Sequence, residues 1–218
     1  MSLSFSQNDA LKKLLREYSK GDYIMKEGEY GNTLLVLIEG EIDLISEANK
    51  ETRKIATLRA GEILGEKTIL GEERYRRAFS AVARSAVSCL EFDFSTLMQV
   101  LSKVPDFSLK IIRVLLHRLE WMNQVAVILR LKGDFNQMHE YFLRYNQYRR
   151  KMGDKAVLLH PDEIQGIVPI ARDRLMSALG YLTQKNILRL EGDQYELRDP
   201  EAVGPTLNQL ESVLRNQK

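Results

Sequence analysis

From residue 23 to residue 92, apolar side chains alternate with polar ones or gather in short runs, and glycines punctuate them. Alternation puts every second side chain on one face of a strand. The pattern therefore predicts strands at 23–26, 33–39, 41–46, 53–58, 61–64, 78–83 and 86–92. Turns are expected at Gly28, Gly31, Gly40, Ala48-Asn49-Lys50 and Gly61. Residues 11–18 read as a short helix capping the strands. Short strands with such turns imply a sandwich or jelly roll.

From Pro105 the period changes. Proline followed by Asp106 is a helix start signal. Ile112, Leu115, Leu119, Met122, Ala126 and Leu129 recur at spacings of 3, 4, 3, 4 and 3, the seam of a two-stranded coiled coil. Ile111, Val114, Val125 and Ile128 form a second apolar face, so the helix has two packing partners. A parallel homodimer through residues 105–131 is expected.

Lys132-Gly133-Asp134 breaks that helix. A further helix at 135–151 carries Met138, Tyr141, Phe142, Tyr145 and Tyr148 on one face. Pro161 opens a short helix at 161–167, Pro169 falls in a turn, and 170–184 is amphipathic with Leu175, Leu179 and Leu182 inward. Segments 187–190 and 194–197 flank Glu191-Gly192-Asp193 as a hairpin, and 200–216 is a terminal helix. Two helices across a tight turn, then a hairpin, describe a winged helix-turn-helix. The fold class expected is α+β: a jelly roll over 1–104, a dimerisation helix over 105–132 and a winged helix-turn-helix over 133–218.

The 218 residues are 44% apolar and 28% charged, ordinary for a soluble globular protein. No run of 18 apolar residues occurs, and no basic-then-apolar segment opens the chain, so the cytoplasm is the expected compartment and no membrane partner is expected. A single cysteine, Cys89, excludes an internal disulfide; it sits in an apolar run and reads as a buried, inert thiol. His117, His139 and His160 are scattered and form no ligand cluster, so no metal site is expected. No nucleophile–base constellation is visible, which speaks against an enzyme. Net charge is +2; residues 1–133 hold 20 basic and 18 acidic side chains, and 134–218 hold 12 of each. Any nucleic-acid surface must then come from local clustering.

The segment 63–83 carries the chemistry: Gly65-Glu66 is followed by Arg76-Arg77-Ala78. Backbone N–H groups beside a glycine can cradle phosphate oxygens, a guanidinium can neutralise them, and a carboxylate next to the glycine can accept a ribose hydroxyl. The segment resembles the phosphate-binding cassette of cyclic-nucleotide-binding domains. With GDYIMKEGEYGNTLLVLIEGEIDLI before it and EIQGIVPIARDRLMSALGYLTQKNIL after it, residues 18–198 resemble the CRP/FNR family of bacterial transcription regulators.

That resemblance implies a ligand site at Gly65, Glu66, Arg76, Arg77 and Ala78, with Asn123 on the central helix reaching a purine. Arg76 matches the phosphate arginine in the catabolite-activator spacing and Arg77 in the kinase-regulatory spacing, and Arg76 is expected to carry most of the phosphate recognition, with Arg77 the fallback. Three positions depart from the pattern: Arg77 where Ser or Thr is usual, Lys67 at an apolar site, and Pro169 where glycine is common. No cofactor is fixed by the resemblance; cAMP or another small anionic effector fits it.

On the recognition helix, Arg172 matches a guanine-reading position, Asp173 an acidic one that can accept from cytosine, and Arg174 and Ser177 lie beside them. Lys151, Lys185, Arg144, Arg149, Arg150 and Lys155 are candidates for phosphate contacts. The function implied is an effector-responsive, homodimeric transcription regulator on a palindromic double-stranded DNA site, with RNA polymerase as a further partner. The alternative is a small-molecule sensor acting through a protein partner, its helix-turn-helix vestigial.

Overall fold

The computed structural model describes residues 13–46, 52–70 and 75–216. The chain divides into two compact units at Val114/Leu115, and the long helix α2 (Pro105–Ile128) runs through the division.

The first unit is built on antiparallel sheets. One has the order β1 (Leu15–Tyr18), β10 (Val87–Asp93), β4 (Thr33–Glu39), β7 (Ile63–Leu64). A second has the order β2 (Tyr23–Met25), β9 (Ser80–Ala83), β5 (Glu41–Ser46), β6 (Arg53–Arg59). Alternation in β5 and β9 sends Ile42, Leu44, Ala81 and Ala83 into a core shared with Leu35, Leu37 and Cys89. Strand β4 is apolar on both faces, and Leu34 and Val36 are buried as fully as Leu35 and Leu37. Helix α1 (Phe94–Lys103) explains this, because it packs on β4 and β10 and buries Leu97. The sequence reading passed over α1; its signal is Asp93, whose carboxylate accepts from the Thr96 N–H at 2.7 Å and caps the helix.

The helix expected at 11–18 is corrected. Residues 15–18 form β1, in register with 87–90 of β10, and Arg16 Nε donates to Glu91 at 3.0 Å. A sheet edge supplied the hydrogen-bond partners, which outweighs a local helical pattern. The turn expected at 48–50 lies outside the described residues. Gly31 is not a turn residue; it belongs to β3 (Tyr30–Gly31), paired with β8 (Tyr75–Arg76).

In the second unit, α3 (Asp134–Lys151), α4 (Pro161–Ile167), α5 (Arg172–Gln184) and α6 (Val203–Asn216) surround one core. Leu175, Leu179 and Leu182 of α5 are fully buried, with Met138, Tyr141 and Phe142 of α3. A small sheet of order β11 (Leu158–Leu159), β13 (Gln194–Leu197), β12 (Leu188–Glu191) forms the hairpin beside them. Helix α5 begins two residues later than expected because Ala171 is extended and serves as its N-cap. Pro169 suits the α4–α5 turn. The Ile170 N–H donates to the Val168 carbonyl at 2.8 Å, closing a three-residue turn whose central φ proline supplies.

Candidate functional site

In the first unit, the end of β7, the short 3₁₀ helix Glu66–Leu70 and strand β8 enclose an open hollow of about 80 Å³. Gly65, Glu66, Arg76, Arg77 and Ala78 all line it, with Lys67; Met25, Leu64, Tyr75 and Phe79 supply apolar and aromatic wall. The cassette residues singled out from the sequence are therefore brought together. Asn123 is exposed on α2, in the second unit.

The two arginines have different places. Arg76 is exposed, with its guanidinium 4.9 Å above the Tyr30 ring and Nε 3.3 Å from the Tyr30 hydroxyl. Arg77 is half-buried and donates from Nη2 to the Thr33 carbonyl at 3.1 Å and the Thr33 hydroxyl at 3.3 Å. Its main chain is fixed as well, since Arg77 N donates to the Glu29 carbonyl and Gly28 N to the Arg77 carbonyl. Burial lowers the Arg77 pKa, opposed by the negative charges of Glu66 and Glu91.

Two glycines make room for this side chain. A Cβ on Gly31 would lie 2.3 Å from Arg77 Nε and Nη2. Gly65 has φ +79°, and a Cβ there would lie 2.3 Å from the Thr33 carbonyl oxygen and 2.7 Å from Arg77 Nη1. Thr33 and Tyr30 are not legible in the sequence as site residues, because pairing of β3 with β8 brings Tyr30 to Arg76 and the Arg77 side chain reaches Thr33. Gly31, expected in a turn, instead lies in β3 and leaves room for the Arg77 guanidinium.

In the second unit, Arg172, Asp173 and Ser177 are exposed on α5. Arg172 Nη1 lies 2.5 Å from Asp162 Oδ1 and 3.4 Å from Gln165 Oε1, both on α4. Arg174 is turned elsewhere: it pairs with both carboxylate oxygens of Asp134, at 2.5 and 3.1 Å, and stacks on Phe135 at 4.2 Å. Ser177 Oγ donates to the Asp173 carbonyl at 2.8 Å. Among the phosphate candidates, Arg149 is buried and bonded to Asp154 at 2.6 Å, so it is not a surface cation. Arg144 pairs with Glu140 and Gln124, Lys151 with Glu120, and Arg150 with the carbonyls of Asp154 and Lys155; Lys185 Nζ lies 5.5 Å over the Tyr181 ring.

Helix α2 buries Ile111, Val114 and Ile128 and leaves Leu109, Ile112, Leu116, Leu119 and Met122 exposed, Met122 at 67%, as is Leu129 just beyond its end. The open row contains Ile112, Leu119, Met122 and Leu129 of the expected seam, while the second apolar face is the one buried through Ile111, Val114 and Ile128. Leu116 replaces Leu115 in the exposed row, since Leu115 adjoins buried Val114 and is half-buried.

Residues 15–104 match the cyclic nucleotide-binding domain family. Human cGMP-dependent protein kinase 2 is 36% identical over 84 residues, which are 38% of this chain and 11% of that protein. Human cyclic nucleotide-gated channel beta-3 is 33% identical over 97 residues, 44% of this chain and 12% of the channel. This chain thus spans about a ninth of the length of these relatives. Solved structures share the fold over most of this chain. A CooA mutant from Carboxydothermus hydrogenoformans has a TM-score of 0.66 at 17% identity, covering 90% of this chain and 88% of that one. FixK2 from Bradyrhizobium japonicum has 0.62 at 17%, covering 88% and 96%. A CRP/FNR-family transcriptional regulator from Thermus thermophilus has 0.62 at 16%, covering 89% and 98%. The fold is that of the CRP/FNR regulators. No helix among the described residues is long and apolar enough to cross a membrane.

Proposed function

We propose that this chain is a non-catalytic, effector-responsive regulator that binds a two-fold symmetric DNA site as a homodimer. The observation that carries the reading is the union, in one chain, of a cyclic nucleotide-binding domain match at 15–104 with a helix-turn-helix and hairpin in the second unit. The effector occupies the hollow at Gly65–Ala78, with Arg77 as the principal phosphate ligand and Glu66 toward a ribose hydroxyl. Arg77 ranks above Arg76 because it is half-buried and its position is fixed by backbone and side-chain bonds. The apolar row on α2, an unusual exposure for side chains of that size, is the face a second copy covers. Effector binding shifts DNA affinity to the extent that it favours one arrangement of the dimer over another.

A selection from random duplexes at low salt, with and without cAMP or cGMP, tests the DNA reading. Enrichment of a palindrome with half-sites about 34 Å apart is expected; enrichment of none rejects it. For the hollow, Arg77→Ala should weaken nucleotide binding by roughly 30-fold or more, and Arg76→Ala by much less, in calorimetric titrations. A second reading, a sensor acting through a protein partner, draws on the carboxylates that engage Arg172 and Arg174. It takes over if the selection fails while effector binding persists.

A further inference from the structure

We propose that Met176 of helix α5 is a specificity-determining residue that selects thymine in each half-site through the 5-methyl group of that base. The inference deepens the DNA reading above and rests on it.

Met176 stands four residues after Arg172 and three after Asp173, so all three fall on one side of α5. Met176 is 40% exposed, whereas its neighbours Leu175, Ala178 and Leu179 are fully buried. The inward face of the helix is thus filled, and a long apolar side chain remains on the outward one. One turn further along that outward face is Gly180, also exposed. The fold does not require glycine there. Its φ is not positive, and a Cβ would meet no atom within 4 Å, while glycine weakens a helix interior relative to alanine. Its effect is on Met176. Helical side chains lean toward the N-terminus, so a residue at 180 would lie back over Met176. Gly180 leaves the thioether uncovered.

The polar side chains around Met176 narrow what this face can read. Arg174 is turned away, paired with Asp134 and stacked on Phe135. The Ser177 hydroxyl is engaged by the Asp173 carbonyl at 2.8 Å. Arg172 is the arginine left on the outward face, and Asp162 and Gln165 of α4 hold its guanidinium. Recognition helices meet base edges through their N-terminal residues. Here those residues supply hydrogen bonding from Arg172 and Asp173 and then an apolar group. Among the four bases, thymine alone carries a methyl group in the major groove. Methionine is unbranched and polarizable, and its end can lie against that methyl without a single fixed geometry. Four helical residues rise about 6 Å, and successive bases on a strand are about 3.4 Å apart. The thymine should therefore lie one or two base-pair steps from the base that Arg172 reads.

The duplex enriched by the random selection serves as the probe. It is resynthesised with deoxyuridine in place of each thymine in turn, in both half-sites together. Deoxyuridine pairs as thymine does and lacks only the methyl. Fluorescence anisotropy then compares the parent with Met176→Ala and Met176→Leu, both changes at an exposed position. One thymine per half-site, within two steps of the base at which Arg172→Ala relaxes the choice, should be methyl-dependent. Its replacement should weaken the parent roughly fourfold for each methyl, or about fifteenfold for the dimer. Met176→Ala should bind the thymine and deoxyuridine duplexes alike, and Met176→Leu should keep the preference. Arg172→Ala should keep it too, because its loss is felt at another base. If no thymine responds, or if the methyl dependence survives Met176→Ala, the proposal falls while the DNA reading stands on the enriched site. If the selection enriches no duplex, both fall, and Met176 then belongs to the protein-partner reading.

Discussion

Gly65 carries two constraints at once, a left-handed backbone and the close approach of the Thr33 carbonyl and the Arg77 guanidinium. Gly65→Ala should lose about 1–2 kcal/mol from the backbone alone, and more because its Cβ must displace a carbonyl. Urea unfolding of the variant measures this, and an unchanged midpoint would reject the geometry. Cys89 is fully buried, and burial, with Glu91 nearby, pushes its pKa up to about 11. A neutral, inaccessible thiol should resist alkylation at pH 8 in the folded protein and react once urea unfolds it. Rapid labelling without denaturant would contradict the core placement.

At the scale of elements, α1 depends on its cap. Hydrogen bonds from the Thr96 N–H, and also from the Ser95 hydroxyl, hold the Asp93 carboxyl below its ordinary pKa. A lowered folded pKa means that the cap stabilises fully above the unfolded value, near 3.9. That contribution is lost as pH falls through the lower folded value. Asp93→Ala should cost about 1 kcal/mol at pH 7, and the gap from the parent should close in strong acid. Helix α5 separates two arginines that the sequence set side by side. Arg174 ties α5 to the start of α3, and Arg174→Ala should destabilise by about 1 kcal/mol while leaving base preference intact. Arg172→Ala should leave stability within about 0.5 kcal/mol and, if the DNA reading holds, relax one base position in each half-site. Paired unfolding and binding-selection measurements separate the two; exchanged phenotypes would reverse the assignment.

At the scale of the whole molecule, Met122→Glu places a charge in the exposed row of α2, where two copies would set like charges together. Light scattering should show the mass fall from dimer to monomer, and a monomeric parent would refute the dimer outright. The sequence by itself determined which segments are strands and which are helices through most of the chain, because burial of one face imposes a period of two or of about three and a half on apolar positions. The resemblance to a phosphate-binding cassette also grouped Gly65, Glu66 and the arginine pair, which the structure brings to one hollow. Three matters were decided by tertiary structure. Residues 15–18 became a strand because β10 offered them an edge, Gly31 became a gap for a guanidinium rather than a turn, and Arg77 rather than Arg76 became half-buried against Thr33. Each depends on a partner remote in sequence: Leu15 meets Leu90, Gly31 meets Arg77, and Arg77 meets Thr33. Local periodicity reports which face of an element is buried, but not which distant group will lie against it.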